Sequence, residues 1–591
     1  MVGLPYDLLA NPLGAVRLTF QKAVGSASSG AAAALDGGDW GAADLFRQFL
    51  FDDGGLSQVP ILNAASVRSI PPNSLVRFRG MLQDMLGNEF YVGAYKDGGL
   101  WKTNKFTDVS QFPMDLSSDK RVWERRLLYC VPVPWLNSWA EPRSQVLINR
   151  SASSTSPQTE KRQRGDDETI DHMDTEGLDH VFQGSPPTKK MRGAETSHSH
   201  ELLAEETCSS TSMVPVSETN SLPCLVKIYD SAEDDLKLNE IFEFIGVLTF
   251  DPEATAADNG DSDELENRFC EEELTHLPPS KVPRLHCLVH RKLGVHDFLT
   301  ISPMVEPNQV KEIRETLLGY LTAVLGNDRL AAEFMLLHLL SKVHARVDTL
   351  AVGKFSLNLT CLNKENTSIF GNSLNLAVKN LLPITHSIPL SVDYLNTSTL
   401  APRKDYETNR LMSGVLQLAE GSHLTIDETC LQAGTLNSVG VENTRLLKNL
   451  MEVQKVEYDF KYYRMEMTTD VQLLVLSEGK SNIFPADLVL PLRPSSVGSA
   501  EILDSEALKA WRWYLAGLRS LPHTIEPQMQ KVVEDDMVAA RQADRTLGSQ
   551  DFSRWLTMGR LMSLSFGETC LSLEHWQLVK ELERQRRERL Q

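Results

Sequence analysis

The sequence predicts an α+β, multidomain chain: a β-barrel region split by a long insertion, then an α/β core, then a helical lid. Three observations carry that expectation. Runs on either side of residues 141–222 alternate apolar and polar residues and are rich in Phe, Tyr, Val and Ile, the pattern of strands with one buried face. Beyond Val310 helical spacing takes over, interrupted by short, almost wholly apolar runs such as Val471–Leu476, as in parallel strands covered on both sides. Between the two barrel segments the composition falls to Ser, Thr, Pro, Gln and acids. Such a stretch cannot bury enough apolar surface to offset its chain entropy, so it is expected to be disordered.

At 591 residues, 41% hydrophobic and 23% charged, the chain is long enough for roughly three or four domains, each with its own core. A formal net charge of −20 argues against general attraction to nucleic-acid phosphate, so a DNA contact would need a local basic face. The 8 cysteines are scattered without a CxxC pair, which gives neither a disulfide framework nor a zinc ribbon and fits a reducing compartment. His286, Cys287 and His290, with Cys270 and His276 upstream, are a group with ligand chemistry. Alternation of Leu285, Cys287 and Val289 reads them instead as a strand with its histidines on the opposite face, and neither a metal nor another cofactor is expected. No run reaches the ~20 apolar residues of a membrane span, and the start lacks a charged segment followed by an apolar one. A soluble, intracellular protein is expected.

Residues 1–70 read as short helices. In WGAADLFRQFLF, residues 40–51, Leu45, Phe46, Phe49 and Leu50 share a face, and the alanine-rich stretch 29–35 before it reads as loop. Residues 71–140 open the barrel. SLVRFRGMLQDMLGNEFYVGAYKD alternates from Ser74, breaks at Gly87-Asn88 and resumes as FYVGAY, which predicts a two-strand hairpin, and RRLLYCVPVP supplies another strand. After the insertion at 141–222, order returns over 223–300 with CLVKIYD and IFEFIGVLTF, joined by the acidic turn SAEDDLKLNE. The two halves together make an oligonucleotide-binding (OB)-like barrel, and the acidic stretch 251–273 is a solvated loop.

Residues 301–495 read as an α/β core. Helical spacing runs through Leu330, Phe334, Leu337 and Val343, followed by a strand from Lys354 and a polar turn, Asn363, Lys364, Glu365, Asn366, Thr367 and Ser368. A helix then stops at Pro383. A strand-turn-helix unit holds phosphate when its turn has the form GxxxxGK[ST], whose glycines let successive N–H groups wrap the anion. Here the turn has no glycine and carries Glu365, while Gly353-Lys354 precedes the strand, on the wrong side. LQLAEGSHLTIDET, residues 416–429, reads as a buried strand ending in Asp427 and Glu428, where nucleotide hydrolases hold magnesium and orient water. Without the loop, Asp427 is expected to cap the helical turn after it, and Glu428 has no evident structural task. An amphipathic helix from Asn443, a hairpin and the strand at Val471–Leu476 follow, and Ser477, Glu478 and Gly479 stand where an active enzyme places a polar sensor, usually asparagine. The core thus reads as a degenerate AAA+-like domain with no catalytic residue, and no nucleotide is expected at Asn363, Lys364, Asp427 and Glu428.

Residues 496–591 read as a helical lid in which Trp511, Trp513, Trp555 and Trp576 are packing residues. The final KELERQRRERL reads as a solvated helix end.

DYETNRLMSGVLQLAEGSHLTIDE resembles the stretch of minichromosome maintenance (MCM) helicase subunits that leads into their acidic strand. LVRFRGMLQDMLGNEFY, RRLLYCVPVP, LLVLSEGKSNIFPADLVLPL and the NPLGAVR start are more particular. With them the chain resembles the MCM complex-binding protein family, especially its plant members, over essentially all of its ordered parts. The resemblance implies a nuclear, non-catalytic partner of the replicative helicase subunits that meets chromatin indirectly, through them. It also implies a role in releasing the helicase from chromatin late in S phase and in sister-chromatid cohesion. Lys161, Arg162 and Arg164 (KRQR) and Lys189, Lys190 and Arg192 (KKMR) form two basic clusters in the insertion, as nuclear import requires.

Two other readings stand beside this one. An unconventional ATPase would use Asp427 and Glu428 with a non-standard loop. A single-strand-binding barrel would use Arg77 and Arg79, which alternation sets on one strand face, with Phe78, Phe90 and Tyr91 as stacking groups. Phe78 points the other way and reads as core. Direct nucleic-acid binding is not expected.

Overall fold

A computed structural model describes residues 7–25, 34–108, 119–141, 222–229, 236–250, 282–299, 307–360, 364–495 and 504–590. The chain enters through two helices, α1 (Pro12–Gly25) and α2 (Ala42–Arg47), the second running on into a π turn at Gln48–Asp52. Val16, Phe20, Phe46 and Leu50 are buried on this helical layer, while Leu45 and Phe49 are half-buried at its rim.

Six strands follow: β1 (Leu75–Asp97), β2 (Leu100–Thr103), β3 (Lys120–Val131), β4 (Cys224–Ile228), β5 (Ile241–Thr249) and β6 (Arg284–Lys292). Five of them close on themselves in the order β1-β3-β4-β6-β5-β1. Closure depends on the length of β1, whose first half pairs with β5 from Leu75↔Val247 to Met81↔Ile241 and whose second half pairs with β3 as far as Tyr95↔Lys120. A closed ring leaves no unpaired edge. The β4–β6 contact is parallel and the others in the ring are antiparallel.

The expected hairpin break at Gly87-Asn88 does not occur. β1 runs straight through, and Gly87, with φ +95°, takes up a register shift between Met85 and Gly87 against β3. The glycine absorbs a bulge here, since a left-handed backbone is available to it at little cost. Val76, Phe78, Leu82, Leu128, Val226, Phe242, Phe244, Leu248 and Leu285 fill the inside of the ring, while Ile245, Val247 and Val289 face outward beneath α1 and α2. β5 is therefore buried on both faces, and at Gly246 a Cβ would come within 2.1 Å of the His286 carbonyl oxygen.

The second half begins with α3 (Pro307–Val324) and α4 (Arg329–Leu340). The helical pattern expected to reach Val343 ends at Leu340: Ser341 turns extended with ψ 145° and its Oγ donates to His338 O at 2.7 Å. β7 (Ala345–Val347) and β8 (Leu350–Val352) form a hairpin beyond it. β9 (Leu357–Thr360) leads to α5 (Lys364–Leu381), so Lys364 to Ser368 are helical rather than a turn. That segment holds no Gly or Pro, and Lys and Glu are good helix formers, with Glu365 favoured in the first turn. Asn363 lies outside the described residues, as do the Lys161, Arg162, Arg164, Lys189, Lys190 and Arg192 clusters, Cys270 and His276.

β10 (Thr385–Pro389), α6 (Val392–Thr397), the hairpin β11 (Arg403–Asp405) and β12 (Arg410–Met412), and β13 (Ser422–Asp427) come next. α7 (Ser438–Val453) starts ahead of the expected Asn443, because Asn437 Oδ1 caps it by accepting from Gly440 N at 2.8 Å. The hairpin β14 (Lys455–Asp459) and β15 (Arg464–Thr468), then β16 (Val471–Leu476) and β17 (Leu488–Pro491), complete the strands. β10-β13-β16-β9-β17 is a wholly parallel sheet. Leu474 and Leu476 of β16 face one core with α3, α4 and α5, and Leu473 and Val475 face the other with α7, which is why that strand reads as continuously apolar.

The chain closes with α8 (Ser505–Arg519), α9 (Pro527–Ala543), α10 (Ser549–Ser565) and α11 (Leu573–Leu590). Trp511, Trp555 and Trp576 are buried in the first core and Trp513 packs against it. The end of α11 is not a solvated helix end. Glu583 and Arg586 are buried, Arg586 Nη1 donates to Val489 O and Arg589 Nη1 to Pro491 O, both at 3.2 Å, so the helix seals the edge strand β17. The barrel docks on the α/β half through the segment after β3. Asn137 Nδ2 donates to Leu382 O at 2.7 Å, Trp139 Nε1 donates to Lys379 O at 2.9 Å, and the Trp135 ring stacks on His386 at 3.7 Å.

Candidate functional site

In a parallel α/β sheet the carboxyl ends of the strands are where ligands bind, and Asp427 and Glu428 stand at that edge. Asp427 ends β13 and pairs with Leu476 of β16. Its Oδ1 accepts from Thr429 N at 2.9 Å and from Thr429 Oγ1 at 2.6 Å, capping a single 3₁₀ turn, Glu428–Cys430. The expected capping role therefore holds for Asp427.

Glu428, in contrast, has a structural task that the sequence did not reveal. Its Oε1 accepts from Ser481 Oγ at 2.6 Å, and that hydroxyl also accepts from Phe484 N at 2.9 Å. Ser481 N in turn donates to Asn358 Oδ1 at 3.3 Å, and Asn358 Nδ2 donates to Ser477 Oγ at 2.7 Å. Glu428, Ser481, Asn358 and Ser477 thus form one chain of hydrogen bonds across the ends of β13, β16 and β9. Asn358, Ser477 and Ser481 are all buried. Burial pushes the Glu428 carboxyl above the usual carboxylate range, against the opposing pull of the Ser481 hydroxyl.

A base that activates water needs its lone pairs free toward solvent and a cation or donor opposite them. Here one Glu428 oxygen is engaged by a side chain of the same edge, and Ser477 in the sensor position is spent on Asn358. The signal for Asn358 lay in LNLT, where a polar residue alternates with leucines in a strand buried throughout. Nothing in the sequence pairs Ser481 with Glu428. Lys364 enters as the first residue of α5. Lys354 Nζ lies 2.5 Å from Asp487 Oδ1, which fixes it below the sheet's start.

The arginines of the single-strand reading face an acid. Glu243, fully buried on β5, accepts from Arg79 Nε at 2.7 Å and from Arg291 Nε at 2.9 Å, with Arg77 Nη1 3.9 Å away. Phe78 is core, as alternation indicated, and Phe90 is exposed. The histidines of HCLVH are likewise occupied. His286 is fully buried and bonds to Tyr229 Oη at 2.6 Å and Thr249 Oγ1 at 3.0 Å, beside Asp108 Oδ2 at 3.3 Å. Burial holds its pKa down at about 4. Lys227 and Arg125 reach the same Asp108 at 2.7 and 2.8 Å. Among the described residues no group of three His, Cys, Asp or Glu side chains converges as metal ligands, and no helix is long and apolar enough to cross a membrane.

Comparison with known proteins adds a family. The model of the mini-chromosome maintenance replisome factor family matches residues 46–590. The mini-chromosome maintenance complex-binding protein of Arabidopsis thaliana is 58% identical over the full length of both chains. Its namesakes in Gallus gallus and Homo sapiens are 35% and 33% identical, each alignment covering 93% of both chains.

Proposed function

The chain belongs to the mini-chromosome maintenance replisome factor family, and from that premise we propose that it is a non-catalytic binding partner of the MCM helicase in DNA replication. In this reading it associates with helicase subunits, promotes release of the helicase from chromatin, supports sister-chromatid cohesion and works in the nucleus. The relatives' printed name, complex-binding protein, supports the binding role.

The observation that best supports a non-catalytic reading is the bond between Ser481 and Glu428, because it engages one oxygen of the carboxylate that stands where a hydrolase orients water. The frame around it supports descent from a nucleotide hydrolase. The ring order β1-β3-β4-β6-β5, with its parallel β4–β6 pair, matches an OB-like barrel. The sheet order β10-β13-β16-β9-β17, with the acids at the end of β13, matches an AAA+-like core under a helical lid. We assign these parts to 71–140 with 223–300, 301–495 and 496–591. A chain with this frame presents subunit-like surfaces without hydrolysing nucleotide.

Two measurements test the reading. Calorimetry with ATP and magnesium is expected to give no micromolar binding, in the intact chain or in Glu428→Gln, and micromolar affinity would overturn it in favour of an unconventional ATPase. Co-purification from nuclear extract is expected to retain MCM subunits on the intact chain and to lose them on a chain ending before Val310. Retention by the short chain would show that the ATPase-like half is dispensable for the contact.

A further inference from the structure

Basic side chains from four separate elements meet on the lid side of the α/β half. Arg560 stands on α10, His523 in the loop between α8 and α9, His344 just beyond α4 and His575 on α11. Backbone bonds set the frame that brings them together. Thr524 N donates to Thr569 O at 2.9 Å and Leu571 N to Thr524 O at 3.3 Å, which lace the α8–α9 loop to the loop between α10 and α11. His344 N donates to Val352 O at 3.0 Å, and its ring lies against Gly353, where a Cβ would come within 2.2 Å of Nδ1. Gly353 has φ +94°, so this close approach uses a backbone that few other residues adopt.

The donors of this group go unmet. Arg560 Nη1 and His523 Nε2 are shielded from solvent, and neither has a hydrogen-bond partner among the described residues. Among the described residues no carboxylate lies within salt-bridge distance of Arg560, His523 or His344. Glu568 is spent on His575, whose Nδ1 lies 3.4 Å from its Oε2. Burial lowers the pKa of Arg560 with no nearby acid to offset it. Burial, with Arg560, His344 and His575 adding to it, holds His523 at about 4, and burial with Arg560 lowers His344. A partly desolvated guanidinium without a partner is costly to a fold. On a chain of net charge −20 acids to pair it are plentiful, so a pocket that keeps its cation clear of them has the character of a binding site.

We propose that Arg560, His523 and His344 form an oxyanion site that takes a phosphate-class group. Arg560 supplies a fixed charge and a fork of N–H donors, the chemistry that recognises phosphoryl oxygens. The two imidazoles add donors from two other elements, and donors from three elements suit a tetrahedral anion better than a planar carboxylate. His344 is exposed and Arg560 and His523 are half-buried, so the group enters from solvent. The site stands whether or not the chain binds the MCM helicase.

Thermal unfolding of the full chain in inorganic phosphate tests the site, with sodium chloride and sodium acetate at matched ionic strength as controls. A ligand that binds only the folded chain raises the unfolding temperature with its concentration. Phosphate is expected to give a saturable rise that neither control gives. Arg560→Gln is expected to weaken the apparent affinity about tenfold or more, and Arg560→Lys, which keeps the charge and loses the fork, to weaken it less. Each variant is compared with itself with and without phosphate, so a change in its own stability does not obscure the response. His344→Gln, on an exposed side chain, is expected to weaken the affinity as well and gives a second reading should Arg560→Gln fail to fold. O-phosphoserine set beside serine separates the sources. A rise at least equal to that with phosphate assigns the site to a phosphorylated side chain, and a rise with phosphate alone assigns it to the free anion. An equal rise in chloride or acetate, or an unchanged phosphate response in both Gln variants, overturns the site.

Discussion

Ser481 Oγ donates to Glu428 Oε1 across 2.6 Å, tying the acid at the end of β13 to the loop that follows β16. Burial raises the Glu428 pKa and the serine only partly offsets it. A carboxyl whose folded pKa is raised favours the folded state fully below its unfolded pKa and loses that contribution as pH rises through the folded value. Glu428→Gln is therefore expected to raise the unfolding temperature at pH 7 and to leave it unchanged near pH 4. Ser481→Ala should do the opposite at pH 7, costing about 1–3 kcal/mol by leaving a charged acceptor unmet. Thermal scans of both variants at the two pH values check this, and a destabilised Glu428→Gln at pH 7 would contradict the assigned protonation cost.

Arg589, two residues from the end of the chain, grips Asp328 with Nη1 at 2.6 Å and Nη2 at 2.8 Å. Asp328 also caps α4 through Ala331 N and accepts from Arg493 N. Burial alone would raise its pKa, but Arg589 and the two backbone N–H groups outweigh it and the net shift is downward. Arg589→Ala leaves a buried carboxylate without its cation, and up to about 3–5 kcal/mol is expected to be lost. The loss should appear as a lower urea midpoint at pH 7 and shrink as pH falls through the carboxylate range, where Asp328 takes up a proton. An unchanged midpoint would mean that α11 does not seal β17.

Glu243 gathers Arg79, Arg291 and, more distantly, Arg77 on the barrel. Glu243→Gln should free these cations and destabilise the ring by about 3–5 kcal/mol, since the pairs are largely buried. It is also expected to create salt-dependent oligonucleotide binding that exceeds the wild type's. Fluorescence anisotropy with a labelled single strand measures it, and equally strong binding by the wild type would show that the arginines serve nucleic acid despite Glu243.

Asn137 is the polar pin between the barrel and the α/β half, donating to Leu382 O at 2.7 Å and to Thr385 Oγ1 at 3.1 Å while its own N–H meets Pro383 O at 2.8 Å. Asn137→Ala removes the side-chain bonds to Leu382 and Thr385 and leaves the Leu382 carbonyl unmet in a buried joint, a loss of about 1–3 kcal/mol. Faster proteolysis between the two halves, with each half's fragments staying resistant, is the expected outcome. Uniform digestion of the whole chain would place the weak point elsewhere.

Much of this frame was legible where one face of an element is buried. Alternation found β1, β-rich composition found β4 and β5, and an apolar run found β16, because burial on one or both faces leaves a direct imprint on composition. The turn at Gly87 was misread since a bulge and a hairpin use the same residue, and only the partner strand β3 distinguishes them. β10, THSIP, carries little apolar signal because it is the edge of its sheet, and its pairing with β13 is a long-range fact. The site was half legible. Asp427 as a cap follows from neighbours within two residues, whereas the partner of Glu428 lies at Ser481, and no local pattern couples positions that far apart. The arginines of α11 read as solvated for the same reason, their partners Asp328 and Val489 being remote in sequence.

His338 and His423 are expected to make the fold acid-sensitive. His338 Nδ1 lies 2.8 Å from Phe355 O, a pure acceptor, so Nδ1 carries the proton and Nε2 the lone pair. His423 Nε2 lies 3.1 Å from that lone pair and must be its donor, which leaves His423 Nδ1 buried without a partner. Burial depresses both imidazoles, and a charge on either would face the other ring and Arg519: His338 is held at about 4 and His423 well below the usual histidine value. The unfolded chain binds these protons near pH 6.5 and the folded chain does not, so stability falls as pH drops from about 6.5 toward 4, by up to roughly 1.4 kcal/mol per pH unit for each group. His286 and His386, both depressed to about 4 by burial, steepen the same window. Urea midpoints from pH 7.5 down to 4.5 should trace that slope, and His423→Leu should make it shallower by one proton while lowering stability at pH 7.5, where His338 loses its donor. A flat profile between pH 6.5 and 5 would mean that these imidazoles take up protons in the folded chain, and the buried pair would then have to be open to water.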